Sequence, residues 1–305
     1  MKIAIDYRLP HDWYTRLEGH DIVIFNDAES LDAIRDAEVM FTSFYQKVTR
    51  ELIDTLPTLK LIAQYGVGYD NIDVEYCHQR GILVTNTPTP VIEPTAELCM
   101  ALMMALARRI SEFDRNLRYD DFQWGLMRNL GHGLYGKTLG IIGLGNIGHA
   151  VARRALANGM RVIYHNRHRA ANDEGMTYVT MEQLLREADV VSLNLPFTPA
   201  VRHLIGEKEL KMMKPSAYLI NTARGGHIDE ACLAKALSEK WIAGAALDVY
   251  EHEPEVTPEL KKLDNCIIVP HVGTATWECR REMATAQEDN VLNFIQGQID
   301  RMTTV

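Results

Sequence analysis

The chain has 305 residues, is 47% hydrophobic and 24% charged, and carries a formal net charge of −9. That length suggests two domains, and the composition is that of an ordinary globular protein with enough apolar residues for a sizeable core. The acidic balance argues against nucleic acid or a membrane surface as partner, because both need a basic face. Five cysteines (Cys77, Cys99, Cys232, Cys266 and Cys279) are scattered without CxxC or Cys/His ligand spacing, so neither a disulfide framework nor a metal site is expected. The first residues run straight into a strand pattern, and the longest apolar run, Leu98 to Ala107, is too short to span a bilayer. A cytoplasmic, reduced protein is the expectation.

In chain order, residues 2–6, 22–25, 39–42, 59–64 and 82–86 read as strands, separated by amphipathic or turn-rich segments such as 30–37. Strands alternating with helices indicate a parallel sheet. Pro88, Pro90 and Pro94 then mark a linker or hinge, since proline restricts the backbone and removes a donor. A single long helix is expected over 95–118, its methionine-rich face either core or a partner surface, followed by an irregular connection over 120–136. Strands resume at 139–142, 161–165, 190–195, 217–222, 243–249 and 267–270, six in all, matching a complete Rossmann domain. The tail from Met283 shows a helical pattern and is too short for a domain of its own.

The densest signal is Thr138-Leu-Gly-Ile-Ile-Gly-Leu-Gly-Asn-Ile-Gly148, a short apolar strand running into Gly143-x-Gly145-x-x-Gly148. The apolar positions Ile147, Val151 and Ala155 continue it as a helix on a sheet. In a dinucleotide fingerprint the first glycine serves the tight turn, the second the approach of a pyrophosphate and the third helix–strand packing. The helix N-terminus supplies free N–H groups and partial positive charge. An NAD site usually places an acid about 20 residues further on, yet no Asp or Glu occurs between Gly148 and Asp173. The second strand instead ends in Asn166-Arg167, which suits an adenosine 2′-phosphate. NADP(H) is therefore favoured and NAD(H) remains open, because a basic surface loop tolerates either.

Ligands of open α/β sheets sit outside the carboxyl ends of the strands. Three successive strand ends carry Arg224, then Glu253 downstream of Asp248, then His271. Arginine can clamp a carboxylate in bidentate fashion and polarise the adjoining carbonyl. Imidazole titrates near neutrality and suits proton transfer to a ketone oxygen, with a carboxylate orienting it. Together these residues suit hydride transfer to a 2-oxo acid.

The order and spacing of several motifs resemble the D-isomer-specific 2-hydroxyacid dehydrogenase family across nearly the whole chain. They are Gly66-Val-Gly-Tyr-Asp-Asn-Ile-Asp73, Val84-Thr-Asn-Thr-Pro88, Gly140 to Gly148, Ile220-Asn-Thr-Ala-Arg-Gly-Gly226, Gly244-Ala-Ala-Leu-Asp-Val-Tyr250 with Glu253-Pro254, and Pro270-His271. The resemblance implies two doubly wound parallel-sheet α/β domains. One is a flavodoxin-like substrate domain of residues 1–93 completed by 283–305; the other is an inserted dinucleotide domain of 94–282. It implies Arg224 as carboxylate binder, Glu253 as partner of the histidine, and His271 as acid/base. Val67 and Gly68 would offer backbone amides to the substrate. Asn146, Ile147, Leu195, Pro196, Thr222 and Asp248 would lie against the cofactor, Asp248 near the nicotinamide amide, and a homodimer would form on the long early helix. The Asn166-Arg167 ending resembles the NADPH-preferring glyoxylate, hydroxypyruvate and 2-ketogluconate reductases. His227 after Gly226, and Val-Gly-Thr after His271, depart from the family's usual residues. An NAD-linked dehydrogenase for bulkier D-2-hydroxy acids and a non-enzymatic, corepressor-like dinucleotide sensor are the alternatives.

Overall fold

The computed structural model describes residues 1–26, 31–119 and 121–305; the first residue of each segment expected at 30–37 and 120–136 lies outside them. The chain divides into two compact units, Met1–Val91 with Thr274–Val305, and Ile92–Gly273. The second crossing thus falls after Gly273 rather than after 282. The reason is that the last helix starts early, at Trp277, where the Thr276 hydroxyl accepts the Cys279 N–H at 3.2 Å and caps it.

In the first unit, β1 (Lys2–Asp6), β2 (Asp21–Phe25), β3 (Val39–Ser43), β4 (Leu61–Tyr65) and β5 (Leu83–Thr85) form a wholly parallel sheet. Its order, β2-β1-β3-β4-β5, is the flavodoxin-like one. β3 and β4 are buried along their whole length, as central strands covered on both faces must be. Residues Thr274–Val305 pack within this unit. Gln287, buried on the last helix, donates from Nε2 to the carbonyls of Ala63 (2.6 Å) and Thr42 (3.3 Å) and accepts the Tyr14 hydroxyl at 2.5 Å. Thr304 then bridges Thr85 in antiparallel fashion, and the Val305 N–H donates to Val84 O at 3.0 Å.

The second unit holds seven parallel strands: β6 (Thr138–Ile142), β7 (Arg161–His165), β8 (Met176–Tyr178), β9 (Val190–Leu193), β10 (Tyr218–Asn221), β11 (Gly244–Leu247) and β12 (Cys266–Ile268). Their order is β12-β11-β10-β9-β6-β7-β8, so the chain reverses direction across the sheet between β6 and β9. That reversal is the switch point at which dinucleotides bind. The sequence reading missed β8, a three-residue edge strand that is largely solvent-facing and so shows no apolar run.

The single helix expected over 95–118 is two. Of the ten α-helices among the described residues, α4 (Ile92–Ala107) and α5 (Ile110–Arg118) meet at Arg109, which adopts a left-handed conformation (φ 55°). No proline or glycine marks the break. The Ala107 carbonyl accepts the His132 N–H at 2.7 Å, and the Arg109 guanidinium holds Glu112 and stacks on Phe113. Met100 and Met103 are buried on α4, which packs against α6 (Asn146–Ala157), β10 and β11, and this assigns the methionine face to core.

Candidate active site

Each glycine of the fingerprint has a distinct physical task. Gly143 turns with φ +98°, and a Cβ there would lie 2.6 Å from Asn194 O. A Cβ on Gly148 would overlap the Gly143 carbonyl, so that glycine lets α6 close on β6. A Cβ on Gly145 meets nothing within 4 Å, so it would project into open space at the head of α6. The His149 N–H is the first in the helix to return to Gly145 O (2.8 Å), leaving Asn146, Ile147 and Gly148 as first-turn donors. Those amides with the helix dipole suit a pyrophosphate.

Asn166, where an acid was expected for NAD, accepts the Leu144 N–H at 2.7 Å on Oδ1 and so braces the glycine turn. Arg167 beside it is exposed, and the following Arg169 pairs with Asp173 at 2.8 Å. The floor beyond the switch point is polar. Asn194 donates to the Ser192 hydroxyl at 2.9 Å, which also meets the Cys99 thiol at 3.2 Å. Burial pushes that thiol up to about 11, so it stays protonated and unreactive. The Asn194 Oδ1 and Thr222 Oγ1 atoms are buried without a hydrogen-bond partner. Buried polar atoms rarely stay orphaned, and two such atoms beside an open glycine cradle fit a bound dinucleotide. Leu195 and Pro196 follow directly from this floor.

The three chemical strand ends are braced against one another. Arg224 leaves β10 in extended conformation, its carbonyl accepting from Asn221 Nδ2 at 2.9 Å. A Cβ on Gly225 would overlap the Tyr250 carbonyl group, so only glycine lets this turn meet the loop after β11. On that loop Glu253 accepts the Tyr250 N–H at 3.0 Å through Oε1 and the His271 Nδ1–H at 2.8 Å through Oε2. Burial alone would raise the Glu253 pKa. The hydrogen bond and charge of His271, with the Tyr250 N–H and the nearby Arg224 charge, outweigh it and hold the carboxyl below its usual value. His271 is itself left-handed (φ 51°), its N–H donating to Asp248 O at 2.8 Å.

Asp248 is spent on the same histidine loop. Its carboxylate accepts the N–H groups of Val272 (2.6 Å) and Gly273 (2.9 Å), and at 1% exposure burial pushes its pKa up to about 6. Sequence reasoning missed two supports. Glu230, at the start of α9 (Glu230–Ser238), takes the Glu251 N–H at 2.6 Å and the Thr257 hydroxyl at 2.5 Å. His149 spans Gly145 O (2.8 Å) and Asn172 O (2.6 Å), tying the loop after β7 to the glycine turn. Neither follows a periodicity or motif.

In the first unit the turn after β4 carries Val67 and Gly68. The Gly66 carbonyl accepts the Thr87 N–H and the Val67 carbonyl accepts Asn86 Nδ2, both at 2.9 Å. Because N–H and C=O point oppositely across a trans peptide, the amides of Val67 and Gly68 face away from these partners. Among the described residues no cluster of His, Cys, Asp or Glu is arranged to hold a metal, and no helix is long and apolar enough to cross a membrane.

The family model for the NAD-binding domain of D-isomer specific 2-hydroxyacid dehydrogenases matches residues 100–273. The chain belongs to this family. A glyoxylate reductase of Thermococcus litoralis is 45% identical over 98% of this chain and 95% of its own length. The solved glyoxylate reductase of Paecilomyes thermophila aligns with a TM-score of 0.91 at 35% identity, covering 100% of this chain and 98% of that one. The NADPH-dependent glyoxylate/hydroxypyruvate reductase of Sinorhizobium meliloti, solved with NADP and malonate, gives 0.89 at 31% identity over 100% and 96%. This D-2-hydroxyacid dehydrogenase is accordingly an NAD(P)-dependent oxidoreductase of 2-oxo acids, and the non-enzymatic sensor is set aside.

Proposed function

We propose that the protein reduces a small 2-oxo acid of the glyoxylate or hydroxypyruvate type to the D-2-hydroxy acid, with NADPH as the preferred cofactor. The observation that carries this reading is the Glu253–His271 pair at 2.8 Å, two strand ends from Arg224. The glycine turn with Asn146, Ile147, Leu195, Pro196 and Thr222 would hold the dinucleotide, whose reduced nicotinamide would supply the hydride. Arg224 holds the substrate carboxylate and polarises the carbonyl. His271 delivers from Nε2 the proton that ends on the substrate oxygen, while Glu253 on Nδ1 stabilises the charged ring.

The substrate class is supported by the glyoxylate and hydroxypyruvate reductases among the relatives. NADPH preference rests on Arg167 and on the missing acid; Asn166 contributes by bracing the turn rather than by reaching outward. The protein works as a cytoplasmic homodimer in this reading. The exposed Leu117, Tyr119, Trp124, Leu126, Met127 and Tyr135 support the dimer, since clustered exposed apolar side chains mark interaction surfaces. The test is a panel of 2-oxo acids of increasing size, each with NADH and NADPH. Glyoxylate and hydroxypyruvate should give the highest kcat/KM, and Arg167→Glu should lower that with NADPH by about 10-fold or more while sparing NADH. Preference for a bulky 2-oxo acid with NADH would overturn the reading.

A further inference from the structure

His227 is the one histidine among the described residues with no exposure at all, and the chemistry above does not use it. It ends the short 3-10 turn Gly225–His227 that follows Arg224. Its ring reaches back to the arginine's own main chain, Nδ1 lying 3.0 Å from Arg224 O. A carbonyl can only accept, and this contact is the shorter of the ring's two to carbonyl oxygens, which places the proton on Nδ1. The far nitrogen, Nε2, stands 3.5 Å from Pro196 O on the loop after β9, at the limit of a hydrogen bond.

That loop grips the ring as well. Phe197 meets His227 edge-on, with centroids 5.5 Å apart. A Cβ on Gly226 would come within 2.7 Å of the Phe197 ring, so the glycine admits Phe197 against the turn. From the other side the His203 N–H holds Gly226 O at 2.8 Å and the Ile205 N–H holds His227 O at 2.9 Å. The Arg224 carbonyl thus receives Asn221 Nδ2 (2.9 Å), His227 Nδ1 (3.0 Å) and the His227 N–H (3.3 Å). Three donors on one carbonyl leave the arginine backbone a single orientation.

We infer that His227 is a positioning residue for Arg224, its buried Nδ1–H fixing the main chain from which the guanidinium reaches the substrate carboxylate. The proposal rests on the assignment of Arg224 above. It requires that losing the ring's donor weaken the 2-oxo acid and spare the cofactor, because the bond lost is the one to Arg224 O at 3.0 Å, whereas the ring's reach to Pro196 O, on the cofactor side, is at the limit of a hydrogen bond. Misplacing a binding group by a fraction of an ångström is enough to cost affinity.

The experiment compares wild type with His227→Leu, His227→Asn and Arg224→Gln, measuring KM for glyoxylate, kcat and NADPH Kd by fluorescence. Asparagine places an N–H donor where Nδ1 stands; leucine fills the space without one. H227L should raise KM about 10-fold with NADPH Kd within about twofold, and H227N should return KM to within about threefold of wild type. An unchanged KM in H227L beside a raised KM in R224Q overturns the role of His227 alone. An unchanged KM in R224Q overturns the carboxylate assignment and the proposal with it. H227N as impaired as H227L, or KM and Kd rising together, reduces His227 to loop packing and overturns the proposal. If H227L does not fold, H227N is set against His227→Gln, whose donor lies toward Pro196 instead. A low KM in Asn and a high KM in Gln support the proposal; equal values overturn it.

Discussion

Replacing Glu253 by glutamine keeps the side chain's size and its acceptor for the Tyr250 N–H (3.0 Å) but removes the charge 2.8 Å from His271 Nδ1. The new amide also turns a donor toward a nitrogen that carries a proton in wild type. With charge centres about 4 Å apart and an effective dielectric of about 20, the lost attraction is about 4 kcal/mol. Both side chains keep some contact with solvent, 23% for His271 and 28% for Glu253. Screening brings the figure to about 2–3 kcal/mol, a factor of about 30 to 150 in rate. Initial rates of NADPH oxidation with glyoxylate should therefore fall on the order of 100-fold at neutrality. A second readout comes from stability. The Glu253 pKa is depressed in the fold, so its stabilisation is complete above the ordinary carboxylate range and is lost as pH falls through the folded value. The melting difference between wild type and E253Q should close in acid. Activity within about threefold of wild type at neutrality would refute the claim that this carboxylate supports a charged histidine.

Gly145→Ala should fold normally, because its Cβ meets nothing within 4 Å, yet weaken NADPH by about 10-fold or more where a phosphate must approach. Isothermal titration and a melting curve separate the two, and unchanged affinity would show that the turn is structural only. Gly225→Ala should instead lower stability by about 3 kcal/mol or more, since its Cβ overlaps the Tyr250 carbonyl group; a melt at the wild-type temperature would count against that close approach. For Asp248 the sign is opposite to Glu253. Its pKa is raised to about 6, so the native state holds a proton that the unfolded chain releases earlier. Stability from this group is greatest below the ordinary aspartate range and declines by about 3 kcal/mol as pH rises to about 6. The wild-type melting temperature should drop over that window relative to Asp248→Asn and run parallel above it; parallel curves throughout would contradict the shift.

The alternation of strands and helices was legible because buried parallel strands are near-continuous apolar runs, as in Thr138–Ile142. β8 was not, being short and solvent-facing. The break at Arg109 was hidden because its cause is the His132 N–H, 25 residues further along the chain by number, claiming the Ala107 carbonyl. The discontinuous first unit came from family resemblance, not from any residue pattern. In the candidate site, Arg224, Glu253 and His271 stood out because ligands of open parallel sheets sit beyond the strand ends. Their supports did not. Asn166 on Leu144 and Asp248 on Val272 and Gly273 are side-chain bonds to backbone far along the chain, and His227 bonds the backbone of its own turn; none leaves a periodic trace.

Proton delivery from His271 is the central step. Single-turnover and steady-state reduction of glyoxylate by NADPH, compared between wild type and His271→Ala with cofactor affinity measured in parallel, tests it most directly. Loss of kcat by about 10²- to 10⁴-fold, with NADPH Kd within about twofold, is the predicted result. Turnover by H271A near the wild-type rate would contradict it.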